Sequence, residues 1–265
     1  MARLLKNAIN DAYFFLGSAM PVRPISVVTA IAIALLFSPF AQAATPSEAA
    51  GILQQFHLAT FAGRIIPWSG ITYLGDSTMT TPCAAILALW LALNGKNRAA
   101  VRWALVFCAG MGLVVLTKLA FLGWRMTLPG LNFTGISGHS ASVIAVLPVL
   151  VYLLSAGLSL PLRIVLIGAA FILIALVGVS RVVLQMHSES EVVIGLLLGA
   201  CVSLYFIAYS GLGGQVMGGR PIVVLTLLLL AAMSAGRPAP TQDWLEHIAV
   251  RLSGNAQPYA RGEPL

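Results

Sequence analysis

Residues 162–210 read LRIVLIGAAFILIALVGVS, then RVVLQMHSES, then EVVIGLLLGACVSLYFIAYS. The two apolar runs, Leu162–Ser180 and Ser190–Ser210, each approach the roughly 20 residues that a helix needs to cross a bilayer. Between them lies a short polar hinge with Arg181, His187 and Glu189, and Glu191 opens the second run. Charged groups at the ends of membrane spans are costly, so they are functional candidates by default. The stretch therefore predicts a helical hairpin in lipid with a chemically equipped turn.

The rest of the chain has the same character. Of 265 residues, 59% are apolar and 9% are charged. A soluble domain carries about 25% charged residues, so an ordinary soluble enzyme is excluded, and so is a disordered chain. Fifteen Lys/Arg against eight Asp/Glu leave a net charge of +7. These cations are scattered rather than gathered on one stripe, which argues against a nucleic-acid partner. The implied partner is the bilayer. Cys83, Cys108 and Cys201 sit inside apolar runs with no CxxC spacing, and read as small packing residues.

Further apolar runs complete an all-α polytopic bundle. The spans are Ile25–Ala43, Thr78–Leu93, Trp103–Gly123, Ser137–Ala156, Leu162–Ser180, Ser190–Ser210 and a seventh, Ile222–Gly236. Residues 1–24 form an N-terminal segment, 25–210 the six-helix domain, 211–236 a loop and the seventh span, and 237–265 a polar tail. Ala41-Gln42-Ala43 also has the look of a signal-peptidase site, so the first span reads either as a cleaved leader or as a retained helix. Arg3, Lys6, Arg23, Lys96, Arg98, Arg102, Arg163 and Arg220 fall on one side of this topology, which marks that side as cytoplasmic. Lys118, Arg125 and Arg181 fall at the opposite ends of the spans and need another explanation. The expected location is a bacterial inner membrane, with the site facing the periplasm or exterior.

On this topology Lys118, Arg125, His139, Arg181, His187 and Glu191 converge at the outer side. Three cations suit a dianionic phosphate better than a single carboxylate, since arginine presents a planar fork and lysine a point charge. Ser137 and Gly138 open the fourth span, where a helix N-terminus offers unpaired N–H groups to an anion. Two histidines beside a phosphate suggest that one attacks phosphorus while the other protonates the departing oxygen. Glu191, one turn beyond His187, can fix the tautomer of that ring; Glu189 points to another face. Asp76, in Gly75-Asp76-Ser77, reads as a helix cap, with a place at the rim of the site as the alternative.

Three pieces of this pattern resemble a known family. Lys118-Leu-Ala-Phe-Leu-Gly-Trp-Arg125 is similar to the first motif of the type-2 phosphatidic-acid phosphatase superfamily, K-x-x-x-x-x-x-R-P. Ser137-Gly138-His139 resembles its P-S-G-H motif. Ser180-Arg181 through His187 to Glu191 resembles S-R-x-x-x-x-x-H-x-x-x-D. The resemblance implies a six-helix membrane phosphatase core and a phosphorylated lipid substrate. It implies that His187 forms a phosphohistidine and that His139 is the general acid. Lys118, Arg125, Arg181, Ser137 and the Gly138 amide would hold the phosphoryl oxygens. No cofactor or metal is implied, because the cations supply the electrostatic stabilisation.

Met126 and Ile136 stand where the family has prolines, and Glu191 stands where it has aspartate. The first two remove a fixed φ from the loops that aim Arg125 and His139. The third lengthens the carboxylate arm by one methylene. Two other functions use the same residues. One is phosphoryl transfer between lipids; the other is a bundle that binds phospholipid without turnover.

Overall fold

The computed structural model describes residues 68–128, 130–213, 215–219, 223–224, 226 and 239–261. Among these residues every regular element is a helix: α1 (Trp68–Tyr73), α2 (Ser77–Leu93), α3 (Asn97–Trp124), α4 (Gly138–Leu154), α5 (Leu160–Val183), α6 (Glu189–Tyr209) and α7 (Thr241–Ser253). The first span, Ile25–Ala43, lies outside the described residues, as does nearly all of the seventh, Ile222–Gly236. The second to sixth spans are helices.

Four segments are long and apolar enough to cross a membrane: Trp68–Leu93, Asn97–Trp124, Leu160–Val183 and Glu189–Tyr209. The protein is an integral membrane protein. The second span starts earlier than its apolar run does, because α1 precedes it and only the turn Leu74–Asp76 interrupts the helix. Outward faces of the bundle are apolar: Leu105 and Leu116 on α3 and Leu160, Val165 and Ile172 on α5 are each more than half exposed. Such rows are unfavourable in water and suited to lipid.

The shorter helix α4 is central. Ala141, Ile144, Ala145 and Val149 are at most 1% exposed. It packs most extensively on α6, where two glycines allow the backbones to meet. A Cβ on Gly199 would lie 2.0 Å from the Ala141 carbonyl oxygen, and one on Gly195 would lie 2.7 Å from that of Ser137. With little hydrophobic force between helices in lipid, close approach through small residues is what holds them together. Helix α5 ends with Gln185 in the left-handed region (φ 56°). The N–H groups of Gln185 and Met186 turn back to the carbonyls of Val182 and Arg181, at 2.9 and 3.0 Å. The His187 N–H joins the Arg181 carbonyl at 3.2 Å, so the ending of α5 fixes where the histidine emerges.

The C-terminal segment, polar in composition, contains α7. Its Leu245 and Ala249 are buried against Phe121 and Leu122 of α3. The Asn255 side chain donates to the Gly123 carbonyl at 2.8 Å, and the Tyr259 N–H to Leu122 at 2.9 Å. On the N-terminal side of the seventh span, the Gly218 carbonyl accepts from the Trp90 indole (2.7 Å) at the loop end of α2. On its C-terminal side, the Ala239 N–H reaches Asp76 (3.2 Å), at the opposite end of that helix.

Gly199→Ala should cost on the order of 1–3 kcal/mol of stability by overpacking the α4–α6 contact. Gly168→Ala, where a Cβ meets nothing within 4 Å, should be neutral or slightly stabilising. Thermal unfolding of the two variants in detergent checks this.

Candidate active site

The site is assembled from helix ends at one end of the bundle. Glu191 is the first element to explain, because its carboxylate is fully buried. Its Oε2 pairs with Nδ1 of His187 at 2.7 Å, four residues back along the chain. The same oxygen accepts from the Ser188 N–H at 3.1 Å, and the Ser188 hydroxyl accepts from the Glu191 N–H at 3.4 Å, closing a capping box at the start of α6. Oε1 accepts from the N–H and the hydroxyl of Thr134, at 2.5 and 2.8 Å. An ionised carboxylate has no proton to give, so Nδ1 of His187 is the donor. Nε2 is then left with its lone pair.

A short strap carries the second histidine. Thr134 bonds Glu191. Gly135 (φ 131°) passes so close to α3 that a Cβ would lie 2.8 Å from the Lys118 side chain. The Ile136 N–H donates to the Thr117 hydroxyl at 3.2 Å, and the Ser137 N–H to the Glu191 carbonyl at 3.1 Å. Helix α4 then opens at Gly138-His139, where the leading N–H groups have no acceptor within the helix. The Ser137 hydroxyl is fully buried and pairs with Ser140 at 3.0 Å. Its contact is therefore within the bundle.

His139 has its own carboxylate. Its Nε2 lies 3.4 Å from Oδ2 of Asp76, a residue 5% exposed. Asp76 is also the N-cap of α2: its Oδ1 accepts from the Thr78 N–H and hydroxyl, both at 2.8 Å. Both readings of Asp76 hold at once, because the two carboxylate oxygens do different work. Gly75 makes this proximity available, since a Cβ there would lie 2.9 Å from the His139 carbonyl oxygen. The Gly75 carbonyl in turn accepts from the Ser142 hydroxyl at 3.0 Å.

Arg181 is 6% exposed. One terminal nitrogen donates to the Thr72 hydroxyl at 2.8 Å and the other to the Met186 sulfur at 3.4 Å. Its Nε is buried without a hydrogen-bond partner among the described residues. Lys118 donates to the Gln242 side chain at 3.5 Å. Both cations are within electrostatic reach of both histidines. Burial pushes the His187 imidazole below its ordinary value of 6.5; the Glu191 hydrogen bond pulls back, and Lys118 and Arg181 push further down. These surroundings therefore favour the uncharged ring. Among the described residues, no group of three or more His, Cys, Asp or Glu side chains could hold a metal ion.

The structure thus brings together Lys118, His139, Arg181, His187 and Glu191, and adds Asp76. Arg125 is placed differently. It ends α3 in the left-handed region (φ 55°), and its guanidinium lies 5.8 Å from the centre of the Tyr259 ring. The family's two prolines are absent at positions where the backbone N–H is in use. Met126 donates to Ala120 at 3.1 Å, and Ile136 to Thr117. A proline has no such donor. Sequence reasoning missed Arg261, which donates to Oε2 of Glu191 at 2.6 Å and to the Thr134 hydroxyl at 3.0 Å. No local pattern marks that arginine, 70 residues beyond its partner.

The fold and site define a helical membrane protein with two histidine–carboxylate pairs and buried cations at one end. Comparison with known proteins agrees. The PAP2 superfamily model matches residues 124–212. A Klebsiella pneumoniae protein, described as an uncharacterised 22.5 kDa protein in the cps region, is 38% identical over 201 residues, or 73% of this chain and 95% of the relative. No solved structure matches the chain. The chain belongs to the PAP2 superfamily, and its general class is that of a phosphoric-ester hydrolase.

Asp76→Asn separates the two duties of that residue. Asparagine caps a helix as well as aspartate does, so stability should change by only a few tenths of a kcal/mol. The counter-charge on His139 is lost, and phosphate release should fall on the order of a hundredfold. Unchanged turnover would leave Asp76 with capping alone.

Proposed function

We propose that this protein is a membrane phosphatase that hydrolyses a lipid phosphate or diphosphate through a phosphohistidine at His187. The observation that carries the reading is the pair of histidines, each held by its own buried carboxylate and both within reach of Lys118 and Arg181. Lys118 and Arg181 hold the phosphoryl oxygens, with the N–H groups that open α4 as further donors. Nε2 of His187 gives its lone pair to phosphorus while the bond to the lipid oxygen breaks. His139, its Nε2 beside Asp76, gives a proton from Nδ1 to that oxygen, and the lipid alcohol leaves. His139, now neutral, takes a proton from water. The hydroxide attacks phosphorus, the N–P bond breaks, and inorganic phosphate departs. Glu191 keeps Nδ1 occupied throughout and balances the positive charge that develops on the ring.

Placement supports a lipid substrate. The site lies at the end of a bundle whose sides are apolar, so a phosphate head can enter while its chains remain in the bilayer. The basic loops lie at the other end of the spans, which supports a site facing the periplasm or exterior. The altered motif positions are accommodated by the fold, which is compatible with turnover. The N–H groups of Met126 and Ile136 are both used, and Glu191 reaches His187 at 2.7 Å.

Detergent-purified protein incubated with phosphatidic acid, phosphatidylglycerophosphate, undecaprenyl diphosphate and lipid A should release phosphate from at least one of them. It should do so with chelator present, and His187→Ala and His139→Ala should each stop it. No release from any lipid phosphate, or release restored only by magnesium after chelation, would overturn the reading.

The pH profile provides a separate check. The attacking ring must be neutral, and its protonation lies below 6.5. His139 must at the same time carry the proton it gives, so kcat/KM should be bell-shaped in pH, with an acid limb set by His187 that lies below pH 6.5 and a basic limb set by His139. An acid limb centred above pH 7 would contradict a neutral His187 nucleophile.

A further inference from the structure

The C-terminal segment, residues 239–261, meets the site at three places. The Ala239 N–H donates to Asp76, Gln242 accepts from Lys118, and Arg261 reaches Glu191. The last contact falls on the oxygen that His187 uses. Oε2 of Glu191 receives Nδ1 of His187 at 2.7 Å and the Arg261 guanidinium at 2.6 Å.

We propose that Arg261 is a positioning residue of this active site: by sharing Oε2 of Glu191 with His187, it keeps His187 neutral, with its proton on Nδ1 and Nε2 free. The inference rests on the reading of His187 as the nucleophile. Its physical basis is a competition for one negative charge. A second proton on His187 would need Glu191 to balance it, and the guanidinium already engages that carboxylate. Glu191 of α6 bonds His187 directly, Lys118 of α3 and Arg181 of α5 act on it through space, and Arg261 of the C-terminal segment engages the same Glu191 oxygen. Three cations then stand against one carboxylate, which disfavours an imidazolium. Solvent weakens the effect, because the Arg261 side chain is 34% exposed. Glu191 does not depend on Arg261 for satisfaction: two donors from Thr134, one from Ser188 and one from His187 remain. Loss of the arginine should therefore leave the fold intact.

The test is an NMR titration of the full-length protein in detergent, labelled with 15N-histidine. The chain has four histidines, and His187→Gln assigns the signal of interest. Arg261→Gln should raise the His187 midpoint by about one pH unit, and Arg261→Lys should keep it close to the starting value. A chain ending at Tyr259 removes the arginine while retaining α7, and should behave as Arg261→Gln does. In turnover, Arg261→Gln should move the acid limb of kcat/KM upward in pH together with the His187 midpoint, and Arg261→Lys should leave it in place. A His187 midpoint that stays fixed or falls in both Arg261→Gln and the shortened chain overturns the proposal. The titration reads the imidazole without turnover, so a protein that hydrolyses no lipid phosphate would count against the proposed function and leave this result legible.

Discussion

A carboxylate with no exposure to solvent sits at the end of a bundle that lives in lipid. Taking an ion out of water costs several kcal/mol, even after the surroundings relax. Glu191 is tolerable there because four donors from Thr134, Ser188 and His187 satisfy it, and Arg261 adds a fifth. Those donors come from the strap before α4, from the hinge after α5 and from the C-terminal segment. The need to satisfy one charge thus fixes the relative placement of three parts of the chain. The same contact that satisfies Glu191 orients His187, so stability and chemistry draw on one set of hydrogen bonds.

The bundle supplies the rest of the geometry. Gly195 and Gly199 let α6 approach α4 at backbone distance, which sets the strap and His139 beside Glu191. Gly75 does the same for the turn that carries Asp76. Each histidine then has a carboxylate on one ring nitrogen and the other nitrogen available. Lys118 and Arg181 stand close enough to feel both rings. This division gives the two imidazoles different carboxylate partners and different free nitrogens, which is what the proposed division into nucleophile and proton carrier requires.

Much of this was legible in the sequence, and the failures have physical causes. Apolar run length located the second to sixth spans, because lipid leaves little choice of backbone structure. Lys118, His139, Arg181, His187 and Glu191 were readable because charge is rare in such a chain, and spacing placed each at a helix end. Asp76 was half readable: a cap and a histidine partner look the same in one dimension. Arg125 resembled its family's motif, yet a left-handed residue at the end of α3 turns it toward Tyr259. Arg261 was hidden for a simpler reason. Its contact with Glu191 is made by tertiary folding of a segment polar enough to pass for a tail, and α7 buries just two of its apolar side chains, Leu245 and Ala249, against Phe121 and Leu122.

The central claim is that phosphorus becomes bonded to His187. The most direct test is rapid acid-free quenching of the protein with a 32P-labelled lipid phosphate that it turns over, followed by mapping of the labelled peptide. The account predicts label that is stable to base, labile to acid, confined to the peptide containing His187, and absent in His187→Ala. Turnover without any such adduct, or label on a serine or carboxylate, would contradict it.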